Sequence, residues 1–155
     1  MYTPRYIQYV NFPEIPKELI ECIIPQNLVD LFNQNENKKS TRIHETYTWT
    51  DDLNEKINVW GQQNICPDMY YAFQLMTGPL PIHKDRITKT KLNYIVSTGG
   101  DNIMTTFYDE DRTTELASYN IPINKWHLFK ADTYHSVGDL APGQIRLAVT
   151  ARIFG

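Results

Sequence analysis

"QIRLAVTARIF", residues 144–154, alternates without interruption. Ile145, Leu147, Val149, Ala151 and Ile153 fall on one face of an extended chain, and Arg146, Ala148, Thr150 and Arg152 on the other. The first is a packing face for covering helices. The second sets a guanidinium beside small residues, which leaves room above it for a ligand. A buried Arg needs an anionic partner, and its planar fork suits a carboxylate best. Three readings stay open for Arg146: it meets the carboxylate of a ligand, it pairs with an Asp or Glu of the chain in a structural salt bridge, or it snorkels to solvent from an edge strand.

Segments of the same texture fill the chain back to Pro67. "MYYAFQLM" (69–76), "KLNYIVST" (91–98), "NIMTTFYD" (102–109), "LASYNI" (116–121) and "KWHLFKA" (125–131) are short, rich in β-branched and aromatic residues, and bounded by Gly, Pro, Asn or Asp. Residues 1–66 read as mostly helical. Pro16 opens "KELIECI" (17–23), and Pro25 opens "QNLVDLFNQ" (26–34), with Leu28, Leu31 and Phe32 at helical spacing. In "TWTDDLNEKINVWGQQ" (48–63), Thr50 is a cap, and Leu53, Ile57 and Trp60 share a face. No repeat or linker divides the chain, so we expect one domain over 1–155. It is mainly β: N-terminal helices cover one sheet of a sandwich or barrel formed by 67–155.

"PLPIHKDRI" (79–87) places His83 and Asp85 one residue apart. On an extended segment both project to one side while Lys84 turns away. A third ligand is offered by His135 in "ADTYHSVGDL" (131–140). Two imidazoles and a carboxylate on one face of an octahedral metal leave three positions open, the arrangement of non-haem Fe(II) oxygenases. His127 in "KWHLFK" competes for the distal position but sits in mid-strand. His44, in the polar stretch "STRIHETYT", reads as a surface residue.

These residues resemble the iron- and 2-oxoglutarate-dependent oxygenases, and among them the prolyl-hydroxylase-like branch, over roughly 70–154. The resemblance implies a double-stranded β-helix core of jelly-roll or cupin-like form. It assigns Fe(II) to His83, Asp85 and His135, and the far carboxylate of the cosubstrate 2-oxoglutarate to Arg146. Tyr94 in "KLNYIVS" matches a cosubstrate-binding tyrosine, and Thr150 matches a cosubstrate-pocket position. The implied activity consumes O2 and 2-oxoglutarate, hydroxylates a C–H bond and releases succinate and carbon dioxide. Ala148 and Arg152 depart from the pattern: serine is common at the first position in related families, and an aromatic residue at the second in prolyl hydroxylases. A cupin-type metal-binding barrel and a degenerate oxygenase fold acting as an interaction module are the alternatives.

A net charge of −3 gives no electrostatic footprint for nucleic acid or an anionic membrane, and neither is an expected partner. The clusters Lys38, Lys39, Arg42 and Arg86, Lys89, Lys91 read as solvated faces, although the second lies where it could meet an acidic substrate. We expect a peptide, protein or amino-acid-like substrate, with proline in a peptide among the candidates. Cys22 and Cys66 read as two reduced thiols, and "MYTPRYIQYVNFPEIP" lacks the apolar core of a signal peptide, so the expected location is the cytoplasm.

Overall fold

The structure, a computed structural model, describes residues 4–23, 46–48, 51–76, 78–138, 140–141 and 143–153. The helix expected over 26–34, the cap Thr50, the cations Lys38, Lys39 and Arg42, and His44 lie outside the described residues.

In chain order the elements are β1 (Ile7–Tyr9), α1 (Lys17–Ile23), β2 (Thr46–Thr48), α2 (Asp51–Asn64), β3 (Tyr71–Met76), β4 (Leu80–His83), β5 (Thr90–Ser97), β6 (Thr105–Tyr108), β7 (Glu115–Tyr119), β8 (Trp126–Lys130), β9 (His135–Val137) and β10 (Arg146–Ile153). Among the described residues they form two antiparallel sheets. One has the order β1-β8-β5-β10-β3-β2 and the other β4-β9-β6-β7. From β3 onward the chain changes sheet at every step except β6 to β7. That crossing is a jelly-roll path, and it gives the double-stranded β-helix form expected. The N-terminal part also supplies two strands, β1 and β2, which the helical reading of 1–66 did not contain.

β10 lies inside the larger sheet between β5 and β3. Its apolar face behaves as the alternation requires: Leu147, Val149 and Ala151 are fully buried. They join Phe73 and Leu75 of β3, Leu92 and Tyr94 of β5, and Trp126 and Leu128 of β8 in one core cluster. Helix α2 lays Ile57 and Trp60 across this face, with Trp60 stacked on Trp126 at 6.5 Å and an interplanar angle of 7°. The indole N–H of Trp126 donates to the Pro13 carbonyl at 2.8 Å, so its one polar group is satisfied at the core edge.

The opposite face of the same sheet meets the smaller sheet. Trp126, His127, Leu128 and Phe129 of β8 are all buried because this strand is covered on both sides. Two smaller apolar clusters occupy the inter-sheet space. One is Met76, Ile103 and Val137 with Leu80; the other is centred on Phe107, Phe129 and Ala131. Members of both line a cavity of about 360 Å³. No helix among the described residues is long and apolar enough to cross a membrane.

Candidate metal centre

His83 ends β4 and His135 begins β9, and the two residues are directly paired across those strands. Their rings lie 4.4 Å apart between centroids. Asp85 follows two residues after His83, with its backbone N–H donating to the Ala131 carbonyl at 2.9 Å. Nε2 of His83 and Oδ1 of Asp85 are 3.8 Å apart. Among the described residues these three alone form a group whose ligand atoms all lie within 4.8 Å of one another. His135 sits in its own short strand, where the sequence placed it just past one.

The hydrogen bonds behind the rings fix the tautomers. Nδ1 of His83 lies 2.8 Å from the Pro81 carbonyl oxygen, and Nδ1 of His135 lies 2.6 Å from that of Thr133. A carbonyl only accepts, so each Nδ1 carries the proton and donates it. With Nδ1 so engaged, each ring turns Nε2 toward the other ligands, the orientation a metal requires. Burial pushes the His135 pKa down to about 4, reinforced by His83, so this imidazole is neutral at physiological pH. The remaining oxygen of Asp85, Oδ2, accepts from Lys91 Nζ at 2.7 Å. Two imidazoles and an oriented carboxylate facing one cavity suit a divalent metal such as Fe(II).

Arg146 lines the same cavity and is buried. Its Nη1 donates to the Thr98 carbonyl at 3.2 Å. The turn that offers this carbonyl continues into Gly99, at φ +88, where a Cβ would press on the Leu140 side chain at 2.7 Å and the Arg146 Cβ at 3.3 Å. No Asp or Glu among the described residues pairs with Arg146. The structural salt bridge left open by the sequence is therefore absent there. Desolvation pushes the guanidinium pKa down to about 10, and it stays protonated. A buried cation without a counter-ion is prepared to receive an anion.

Two expected cosubstrate contacts need correction. β5 turns Lys91, Asn93 and Ile95 to the cavity, and Leu92 and Tyr94 to the helix-side core. Tyr94 packs on Trp126 at 4.9 Å and donates to Asn124 Oδ1 at 3.3 Å. It is a core residue, because the period-two pleat sends neighbours to opposite faces. Thr150 does share the Arg146 face, but its side chain is not part of the cavity lining. Its hydroxyl donates to Asn93 Oδ1 at 2.7 Å, so Thr150 orients the Asn93 amide that does line the cavity.

His127 is no ligand. It lines the cavity beside Arg146 but stands outside the close trio. Burial pushes its pKa down to about 4, and the nearby Arg146 charge adds to the depression. Lys91, assigned with Arg86 to a solvated face, instead holds Asp85, while Arg86 lines the cavity and Lys89 does not. Thr105 had no signal in the sequence. Among the described residues its hydroxyl is the one buried side-chain polar atom without a hydrogen-bond partner, and it too lines the cavity.

No protein-family model matches the sequence, and no curated protein matches it. Solved structures match the fold. An oxidoreductase of the 2OG-Fe(II) oxygenase family from Burkholderia pseudomallei superposes with a TM-score of 0.53 at 7% identity, covering 84% of this chain and 79% of that one. A prolyl-4-hydroxylase from Pseudomonas putida gives 0.54 at 13% identity, covering 95% and 91%. The chain shares the double-stranded β-helix fold of these two structures. A non-haem α-ketoglutarate-dependent epimerase of nogalamycin biosynthesis, SnoN, gives 0.55 at 12% identity, covering 96% and 78%. At such identities the likeness is one of fold, and on that fold the chain brings together its own His83, Asp85 and His135.

Proposed function

We propose that the protein is an Fe(II)- and 2-oxoglutarate-dependent oxygenase that hydroxylates a C–H bond of an amino-acid residue, with peptidyl proline among the candidates. The observation that carries this reading is Arg146, a buried guanidinium with no carboxylate partner among the described residues, in the same cavity as the triad. A cupin-type metal barrel or an inert interaction module has no use for that cation. The 5-carboxylate of 2-oxoglutarate satisfies it.

In this reading His83, Asp85 and His135 would hold the iron. Bound there, iron would supply the redox chemistry by which 2-oxoglutarate and O2 give succinate, carbon dioxide and a hydroxylated C–H bond, one oxygen atom of O2 going to succinate and the other to the substrate. Arg146 anchors the cosubstrate, and Thr105 offers a hydroxyl in the same cavity. His127, kept neutral by burial, adds no second positive charge beside Arg146. Met76, Leu80, Ile95, Ile121 and Val137 line the cavity with apolar surface that keeps water out. No side chain is required as a general base.

The test is succinate formation from 2-oxoglutarate, followed with and without Fe(II) and O2 against pools of peptides and amino acids. We expect succinate only with all components present and none from His135→Ala. A protein that binds neither Fe(II) nor 2-oxoglutarate refutes the reading.

A further inference from the structure

The cavity holds more positive charge than the proposed metal and cosubstrate can use. Its lining includes Arg86, Lys91, Arg146 and Arg152, against Asp85 as the one carboxylate. Lys91 is matched by Asp85 at 2.7 Å. Arg146 is accounted for by the cosubstrate. Arg86 and Arg152 are left over, and among the described residues neither has a carboxylate partner.

Their placement separates them from Arg146. Arg152 sits on the same face of β10 as Arg146 but near the other end, so strand rise puts the two Cα atoms about 20 Å apart. Arg146 is buried, whereas Arg152 is exposed. Arg152 is paired directly with Lys91 of β5, whose amine reaches Asp85. Cross-strand partners on one face hold their Cβ atoms about 5 Å apart. Arg152 is therefore one side chain from the group that holds a metal ligand. Arg86 follows Asp85 directly, and next to it Ile87, 86% exposed, also lines the cavity. One buried cation at the closed end and two exposed cations with an apolar neighbour at the rim make two different anion sites.

We propose that the substrate oxidised here carries an oxyanion, a carboxylate or a phosphate, which Arg152 and Arg86 hold at the cavity rim while Ile87 meets its carbon skeleton. The proposal rests on the oxygenase reading and narrows its substrate class. An aromatic side chain at position 152 would offer a stacking surface; a guanidinium offers a bidentate fork for an oxyanion.

The test loads the protein with Mn(II) in place of Fe(II), saturates it with 2-oxoglutarate so that Arg146 is occupied, and titrates inorganic phosphate. Phosphorus NMR line width reports phosphate residing near the paramagnetic ion. We expect saturable broadening whose apparent affinity falls on the order of tenfold or more in Arg152→Gln and is lost in Arg152→Glu. Lys125→Gln, a surface cation outside the cavity, serves as the control and should leave it unchanged. Broadening that ignores both Arg152 variants, or no broadening, overturns the proposal. Failure of Mn(II) or 2-oxoglutarate to bind is seen separately, by water-proton relaxation and by calorimetry; it removes the oxygenase reading and this proposal with it. A second arm identifies the source of the oxyanion by succinate formation with matched pairs: free amino acids against their carboxamides, phosphorylated against plain peptides, and Asp- or Glu-containing peptides against their Asn or Gln counterparts. The anionic member of a pair should be used, with KM raised on the order of tenfold in Arg152→Gln and kcat changed less. Equal use of the neutral members overturns the proposal while leaving the oxygenase reading in place.

Discussion

Lys91 and Asp85 divide one carboxylate: Lys91 Nζ lies 2.7 Å from Oδ2, while Oδ1 faces His83 Nε2 at 3.8 Å. The lysine pins one oxygen and leaves the other facing the candidate metal position. Two effects oppose each other in Lys91→Met. Loss of orientation weakens metal binding, and loss of a nearby positive charge strengthens it. Orientation is expected to win, since removing such a supporting partner generally costs about ten- to a hundredfold in metal affinity. Anaerobic Fe(II) titration measures this. Tighter binding by Lys91→Met would show that charge repulsion is the larger effect.

The three ligands leave no redundancy. His83→Ala, Asp85→Ala and His135→Ala should each lose stoichiometric Fe(II). His127→Ala should keep it, because His127 lies outside the close trio despite sharing the cavity. Iron content after gel filtration separates the two histidines. The reverse pattern, with His127 required and His135 dispensable, would falsify the assignment.

Arg146→Ala should weaken 2-oxoglutarate by about 1.5–3 kcal/mol, the worth of a hydrogen bond to a charged group. Fe(II) affinity should change little. Tyr94→Phe gives a contrasting result. Its hydroxyl meets the exposed Asn124 at 3.3 Å at the edge of the helix-side core, so the variant should bind 2-oxoglutarate normally and lose about 1 kcal/mol or less of stability. Calorimetry with 2-oxoglutarate and urea unfolding report the two effects. A drop in cosubstrate affinity in Tyr94→Phe would contradict the strand parity described above.

That parity marks where the sequence stopped being informative. The two faces of β10 were legible because eight residues alternate without a break. The spacing of His83, Asp85 and His135 was legible because period-two geometry puts both ends of H-x-D on one side. Tyr94 was misplaced by an argument from resemblance that fixed a residue type without fixing its parity, and a one-residue offset reverses the face. β1, β2 and β9 have three residues each, too short to show any period; pairing with distant strands creates them. Thr105 is exceptional only through what surrounds it, and no local pattern announces a hydroxyl left without a partner.

Acid should destabilise the metal-free protein through its buried histidines. In the unfolded chain His127 takes up a proton near 6.5, and in the folded protein only near about 4, chiefly because burial disfavours the charge. Between those values the unfolded state binds more protons. Stability from this group is therefore complete above pH 6.5 and falls as pH drops toward 4, by at most about 3 kcal/mol. His135 has the same sign, so the contribution of His127 must be isolated by substitution. Urea unfolding of the chelator-treated protein between pH 7 and 4 should show a shallower acid slope in His127→Gln than in the parent. Parallel slopes would mean that His127 titrates normally in the folded state.

Gly61→Ala tests how the helix layer closes on the larger sheet. Gly61 lies within α2, where alanine is intrinsically better by about 1 kcal/mol. The site forbids it sterically: an added Cβ would collide with the ring of Tyr71, the first residue of β3. That ring cannot withdraw easily. Its hydroxyl bonds to the Cys66 backbone at 3.1 and 3.2 Å, its main-chain N–H donates to Asn58 Oδ1 at 2.9 Å, and it meets Trp126 edge-on at 6.4 Å. Overpacking a site so constrained costs about 1–3 kcal/mol, which exceeds the gain in helix propensity. Gly61→Ala should therefore lower the urea midpoint without changing the slope of the transition. An unchanged or raised midpoint would show that α2 can lift away from β3, and that its contact with Tyr71 does not fix the helix on the sheet.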